Sequence, residues 1–191
     1  MTEQDPARGT VAFVFETGML KRMSRTGWWH VGVKEPESIA DHSFRAGIIG
    51  SILAMMEGAD PARTALLSLF HDTQESRIGD IAHIGKRYLK AQPNEAITAD
   101  QLAGAYPAVR DGIQKIVEEY ESCTSIEAKC AHDADKVDCL VQAVEYREAG
   151  HRNIQPWIDT SYEHLRTESG RVLADAALEM TSMEWRETFL P

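Results

Sequence analysis

Apolar residues recur at three- and four-residue intervals along nearly the whole chain, and no segment alternates convincingly between apolar and polar positions. That pattern predicts an all-α fold. Start and stop signals divide it into seven to nine helices. A first is expected over about Val11–Met23. In PESIADHSFRAGIIGSILAMMEG a second follows, with Ser38 as N-cap, Asp41 in its first turn and Gly58 as its stop. Asp60-Pro61 is a cap followed by a proline at the first helical position, and it opens a third helix that runs to His71-Asp72. Residues 76–93 read as a loop or broken helix ending at Pro93. Further helices are expected over about 95–104 and 107–122, then a long one from Ser125 to Glu148 that stops at Gly150. Pro156 opens another, and a last spans about 168–188. At 191 residues the chain is long enough for one domain with a real core, and we read 1–191 as that domain.

The net charge of −10 argues against binding a nucleic-acid polymer, which needs a basic face, but not against a small anion in a local pocket. Cys123, Cys130 and Cys139 are odd in number and form no CxxC pair, so free thiols in a reducing compartment are expected. The N-terminal stretch MTEQDPARGT has no basic-then-apolar signal. The longest apolar stretch, Gly47 to Met56, is too short to span a bilayer. A soluble cytoplasmic protein without membrane partners is the expectation.

The run Ala65-Leu66-Leu67-Ser68-Leu69-Phe70 ends abruptly in His71-Asp72. The third helix is apolar almost all round, which predicts burial, and an ionised carboxylate there needs a partner or a metal. His42 lies on the second helix and Asp135 on the long one. Three helices can thus bring two imidazoles and two carboxylates to one point, a donor set suited to Mn, Fe, Co, Ni or Zn and less well to Mg. Two residues compete. Ile126, Cys130, Asp133, Val137, Leu140 and Val144 are spaced so that Asp133, not Asp135, faces the apolar seam. His132 is its neighbour and a second competitor.

These residues resemble the HD-domain phosphohydrolase superfamily, whose signature is a histidine, a His-Asp doublet and a distant aspartate. The nearer resemblance is to YfbR-like 5′-deoxynucleotidases and their eukaryotic HD-domain relatives. It rests on Arg25-Thr26-Gly27-Trp28, Pro36-Glu37-Ser38-Ile39-Ala40-Asp41-His42, His71-Asp72-Thr73-Gln74-Glu75 with Gly79-Asp80, and Asp135 with Gln142-Ala143-Val144-Glu145-Tyr146. The resemblance implies an HD-domain helical bundle with its metal-site core at about 25–148 and C-terminal helices at about 155–188. It implies one divalent metal ion (Co, Mn, Mg, Zn, Ni or Fe) on His42, His71, Asp72 and Asp135. Asp135 is preferred because it precedes Gln142 by the family's seven residues. Glu75 would orient or deprotonate the attacking water or protonate the leaving oxygen. Asp80 would bond the sugar 3′-hydroxyl, Arg25 would hold the phosphate, and Trp28 would pack near the sugar.

Alternatives stay open residue by residue. Glu75 can be an exposed helix-end glutamate, Asp80 a cap, and Trp28 a core anchor, with Trp29 as the ring that faces the ligand. Arg25 has its own support, since Thr17 to Lys34 holds no acidic residue while Lys21, Arg22, Arg25 and Lys34 are basic. HD proteins with two metals carry extra, paired histidines between the doublet and the last aspartate; here only His83 and His132 lie in that interval, so the resemblance implies one metal, and His30 stands outside it. The function implied is hydrolysis of 2′-deoxynucleoside 5′-monophosphates to deoxynucleoside and phosphate by a homodimer. The competing readings are a phosphohydrolase of another nucleotide, such as a triphosphate or alarmone, and a non-catalytic metal- and nucleotide-binding sensor.

Overall fold

A computed structural model of the chain describes residues 5–189; the first four residues of the N-terminal stretch, and residues 190–191, lie outside the described part. The described residues form nine α-helices: α1 Pro6–Thr17, α2 Ile39–Glu57, α3 Pro61–Phe70, α4 Glu75–Ile78, α5 Asn94–Gln101, α6 Pro107–Ser122, α7 Ile126–Glu148, α8 Gln155–Glu163 and α9 Glu168–Glu179. Short 3₁₀ turns cover Gly18–Lys21, Thr26–Val31, Gly85–Arg87 and Glu184–Phe189. Among the described residues the β-pairing is one isolated bridge, Ser24 to Ser38. The all-α expectation holds. The three cysteines are unpaired, and no described helix is long and apolar enough to cross a membrane.

The boundaries that follow from side-chain chemistry fall where expected. Ser38 and Asp41 make a reciprocal capping box on α2, and Gly58 ends it at φ +70°. The Asp60 carboxylate accepts from Ala62 N and Arg63 N to start α3, and Ser125 Oγ accepts from Ala128 N to start α7. Two ends differ. The first helix begins at Pro6 and stops at Thr17, because Gly18 to Lys21 tightens into a 3₁₀ turn. The last stops at Glu179, because Met180 turns extended (φ −101°, ψ 164°).

The centre of the fold is α7, which packs against α2, α3, α6, α8 and α9. Leu140, Ala143, Val144 and Val137 on α7 meet Leu53 and Ile49 of α2, Trp28 and Ile158 in the main core. The helices approach closely at Gly50, where an added Cβ would lie 2.6 Å from Ser68 Oγ of α3 and 3.5 Å from Ala134 Cβ of α7. Glycine there lets three helices converge one turn from His71. The expectation that α3 is buried all round needs correction. Thr64, Leu67 and Ser68 are buried, but Leu66 and Leu69 keep 40% and 42% exposure, because α2, α6 and α7 together leave part of the helix uncovered.

The aspartate in the apolar seam has a structural task. Asp133 is fully buried. It accepts from Arg166 N at 2.8 Å, Thr167 N at 2.7 Å and Thr167 Oγ1 at 2.7 Å. Thr167 is in turn the N-cap of α9. The carboxylate thus satisfies the donors at the start of that helix, where its charge also suits the helix dipole. Gly170 makes room for it, since a Cβ there would lie 2.6 Å from Asp133 Oδ2. Asp133→Ala would strand these buried donors, so chemical denaturation should report a loss of about 3 kcal/mol; unchanged stability would contradict the assignment.

Candidate metal centre

Four side chains from three segments meet between α2, the end of α3 and α7. His42 Nε2 lies 3.2 Å from His71 Nε2, 3.3 Å from Asp135 Oδ1 and 3.6 Å from Asp72 Oδ2. His71 Nε2 lies 3.1 Å from Asp72 Oδ2. His42 sits in the second turn of α2, just beyond the capping box. The doublet stands where α3 gives way to tight turns, with Thr73 N bonded to Phe70 O and Glu75 N to Asp72 O. Both imidazoles are buried, while Asp72 and Asp135 keep 17% and 14% of their side chains exposed and so face an opening.

The outward bonds of the rings fix what the inner atoms can do. His71 Nδ1 lies 2.6 Å from Ser68 O, a carbonyl that only accepts, so Nδ1 carries the hydrogen. His42 Nδ1 lies 2.6 Å from Asp138 Oδ2, which places a hydrogen there as well. In the neutral rings both Nε2 atoms then present lone pairs to each other and to two carboxylates. Such an arrangement calls for a cation. Burial and Arg25 oppose a proton on His42, yet bonds to Asp135 and Asp138 outweigh them and raise it to about 9. Burial opposes ionisation of Asp72, but His71, His42 and Arg25 hold its carboxyl well below the usual range. Burial likewise opposes charge on Asp135, and Lys136 and the two histidines overcome it. Two neutral imidazoles and two ionised carboxylates fit a divalent metal ion.

The neighbouring charges are ordered around this point. Arg25 Nη1 reaches Asp72 at 3.3 Å and Nη2 reaches Asp135 at 3.9 Å. Lys136 Nζ donates to Asp135 at 2.9 Å. Glu75 opens the short α4, with Oε2 buried and without a hydrogen-bond partner. Burial first, then the charges of Asp72 and Asp80, push Glu75 up to about 9. A pocket of about 320 Å³ runs along His71, Asp72 and Glu75 to an apolar wall of Ile78, Ile81 and Leu89. A larger groove of about 930 Å³ between α1 and the α5–α6 corner shares no residue with the cluster.

The other singled-out residues take varied places. Asp80 Oδ2 accepts from Thr26 N at 2.5 Å and pins the 3₁₀ turn that follows Arg25, while its Oδ1 has no partner among the described residues. Trp28, expected beside the sugar, is a core side chain instead. It is 1% exposed, donates from Nε1 to Glu37 and packs edge-on against Tyr146 and flat against Trp157. Trp29 is the exposed ring of the pair. His132 stacks on Tyr120, bonds to its carbonyl and stands apart from the donor cluster. The sequence reading missed Asp138, the partner of His42. Its only signal is an i, i+3 step from Asp135, which puts both carboxylates on one face of α7.

Dialysis of metal-stripped protein against Mn²⁺ should load the wild type and the His132→Ala variant but leave Asp72→Ala empty. Retention by Asp72→Ala, or loss in His132→Ala, would contradict the donor set.

Comparison with known proteins bears on the same residues. A family model described as HD domain matches residues 17–176. The chain is similar to human 5′-deoxynucleotidase HDDC2, with 32% identity over 161 residues, 81% of this chain and 78% of that one. It is also similar to 5′-deoxynucleotidase hdd1 of Schizosaccharomyces pombe, 33% identical over 142 residues and 71% of each chain. Among solved structures, a conserved hypothetical protein from Pyrococcus furiosus superposes with a TM-score of 0.73 at 26% identity, over 89% of this chain and 99% of that one. With the matched span holding every donor of the cluster, the chain belongs to the HD-domain family.

Proposed function

We propose that this chain is a metal-dependent phosphomonoesterase that hydrolyses 2′-deoxynucleoside 5′-monophosphates, with one divalent ion held by His42, His71, Asp72 and Asp135. The observation that carries this reading is the convergence of these four side chains beside a pocket that Glu75 also lines. The relatives named 5′-deoxynucleotidases, similar over most of their length, support the substrate class.

Phosphate-monoester hydrolysis is among the slowest uncatalysed reactions, so the site must stabilise the transferring phosphoryl group strongly. A bound divalent ion would supply an activated water and neutralise charge on the phosphoryl oxygens. This chain's own residues account for the rest. The Arg25 guanidinium, between Asp72 and Asp135, is placed to turn to the phosphate and hold it. Glu75, whose carboxyl burial and the charges of Asp72 and Asp80 push up to about 9, faces the pocket, which suits it to protonate the leaving 5′-oxygen. That favours the acid among the three roles expected for it. Asp80 Oδ1 remains free to accept from a sugar 3′-hydroxyl. Ile78, Ile81 and Leu89 give the base an apolar wall. A stripe of exposed apolar residues on α2, Phe44, Ile48, Ile52 and Met55, supports a homodimer.

Phosphate release from deoxynucleoside and ribonucleoside 5′-monophosphates, with and without Co²⁺, Mn²⁺ or Mg²⁺, tests the proposal. Turnover of the deoxy substrates dependent on added ion is expected. Tight nucleotide binding without turnover of any monophosphate would contradict it and support a sensor. Glu75→Gln should lower kcat by about 10²–10⁴-fold while the metal stays bound, since the amide has no proton to give; an unchanged kcat would remove the acid.

A further inference from the structure

The Gln142-Ala143-Val144-Glu145-Tyr146 run contributes no atom to the donor cluster and does not line the pocket. Two of its side chains converge on one guanidinium. Gln142 Oε1 accepts from Arg45 Nη2 at 2.8 Å, and the Glu145 carboxylate accepts from Arg45 Nη1 at 2.9 and 3.0 Å. Arg45 Nε donates to Asp138 Oδ1. Asp138 Oδ2 accepts from His42 Nδ1. Arg45 lies three residues beyond His42 on α2, and Asp138 three beyond Asp135 on α7, so the relay runs one turn away from the donors along both helices. Asp138 and His42 are fully buried, whereas the Arg45 side chain is 29% exposed.

We propose that Arg45 and Asp138 are positioning residues that commit His42 to the tautomer with its hydrogen on Nδ1, leaving Nε2 free to bind the ion, and that Gln142 and Glu145 hold the guanidinium in register. This rests on the metal reading of the cluster. The direction of the relay is set by what each group can do. A guanidinium only donates and a carboxylate only accepts. Asp138 therefore accepts from Arg45 with one oxygen and, with the other, makes His42 Nδ1 the donor. An amide cannot do both, because it has a single acceptor oxygen. In Asp138→Asn, an oxygen turned to Arg45 puts the NH₂ against His42 Nδ1, and the ring then carries its hydrogen on Nε2, where it blocks coordination. An oxygen turned to His42 sets the NH₂ against the Arg45 Nε–H. Either way ion loading is opposed. Removing the Arg45 donor frees the amide to turn its oxygen to His42.

This gives a test that a merely structural role would not pass. Co²⁺ affinity of the metal-stripped full chain is measured by competition with a chromogenic chelator, alongside thermal melts of the stripped proteins. Asp138→Asn should bind Co²⁺ about 10–100-fold more weakly than wild type, in the range seen when outer partners of metal-bound histidines are removed. Arg45→Met should lose less, and the double variant should bind more tightly than Asp138→Asn alone. Asp138→Asn at wild-type affinity, or a double variant no tighter than Asp138→Asn, would overturn the relay. If Asp138→Asn does not fold, Glu145→Gln loosens the outer end at a half-exposed position. Weaker Co²⁺ binding is then expected, and unchanged binding overturns the relay. A wild type that takes up no Co²⁺ would overturn the metal reading itself, and the relay with it.

Discussion

Two imidazole nitrogens 3.2 Å apart, each with its hydrogen committed to an outward partner, set the central constraint on this molecule. Neutral rings so placed repel through their lone pairs, and Asp72 and Asp135 add negative charge at the same point. A bound divalent ion relieves that arrangement, as does a proton on His42 Nε2 when no ion is bound. The surrounding fold keeps it from relaxing. Gly50 lets α2 approach α3 and α7 closely, Ser68 O holds one ring and Asp138 the other, and the helix carrying Asp135 is gripped by five neighbours. The electrostatic tension is thus a product of close helix packing and not of local sequence alone.

The charge pattern around this point separates tasks among carboxylates that are chemically alike. Asp72 and Asp135, beside imidazoles, Arg25 and Lys136, stay ionised despite burial. Glu75, a few residues away and short of hydrogen-bond partners, is raised by burial and by the charges of Asp72 and Asp80. Asp133, buried without any part in the cluster, spends its charge on the start of α9. In a chain with net charge −10, the basic Arg25 and Lys136 both sit against the carboxylates of this cluster.

Helix identities were legible because caps and stops are local: Ser38 with Asp41, Asp60-Pro61, Ser125 and Gly58 act within a few residues of themselves. The tightening after Thr17 and the break at Met180 have no such signal. Periodicity identified Asp133 as inward-facing, and it is. That it caps α9 depends on Arg166 and Thr167, more than thirty residues away, which no helical wheel contains. The family resemblance, through its seven-residue step to Gln142, picked out Asp135 for the cluster, where helical phase pointed elsewhere. Trp28 belongs to the core because Tyr146 and Trp157, distant in sequence, close over it. Asp138 escaped notice because a carboxylate amid Val137 and Leu140 reads as a solvated helix position until α2 brings His42 and Arg45 against it.

The most direct test of the account is an anomalous diffraction map from a crystal of the wild-type protein equilibrated with Mn²⁺ or Co²⁺. The account predicts a single strong peak about 2.0–2.2 Å from His42 Nε2, His71 Nε2 and an oxygen each of Asp72 and Asp135. No peak at that point, or an ion held without His42 or Asp135, would contradict it.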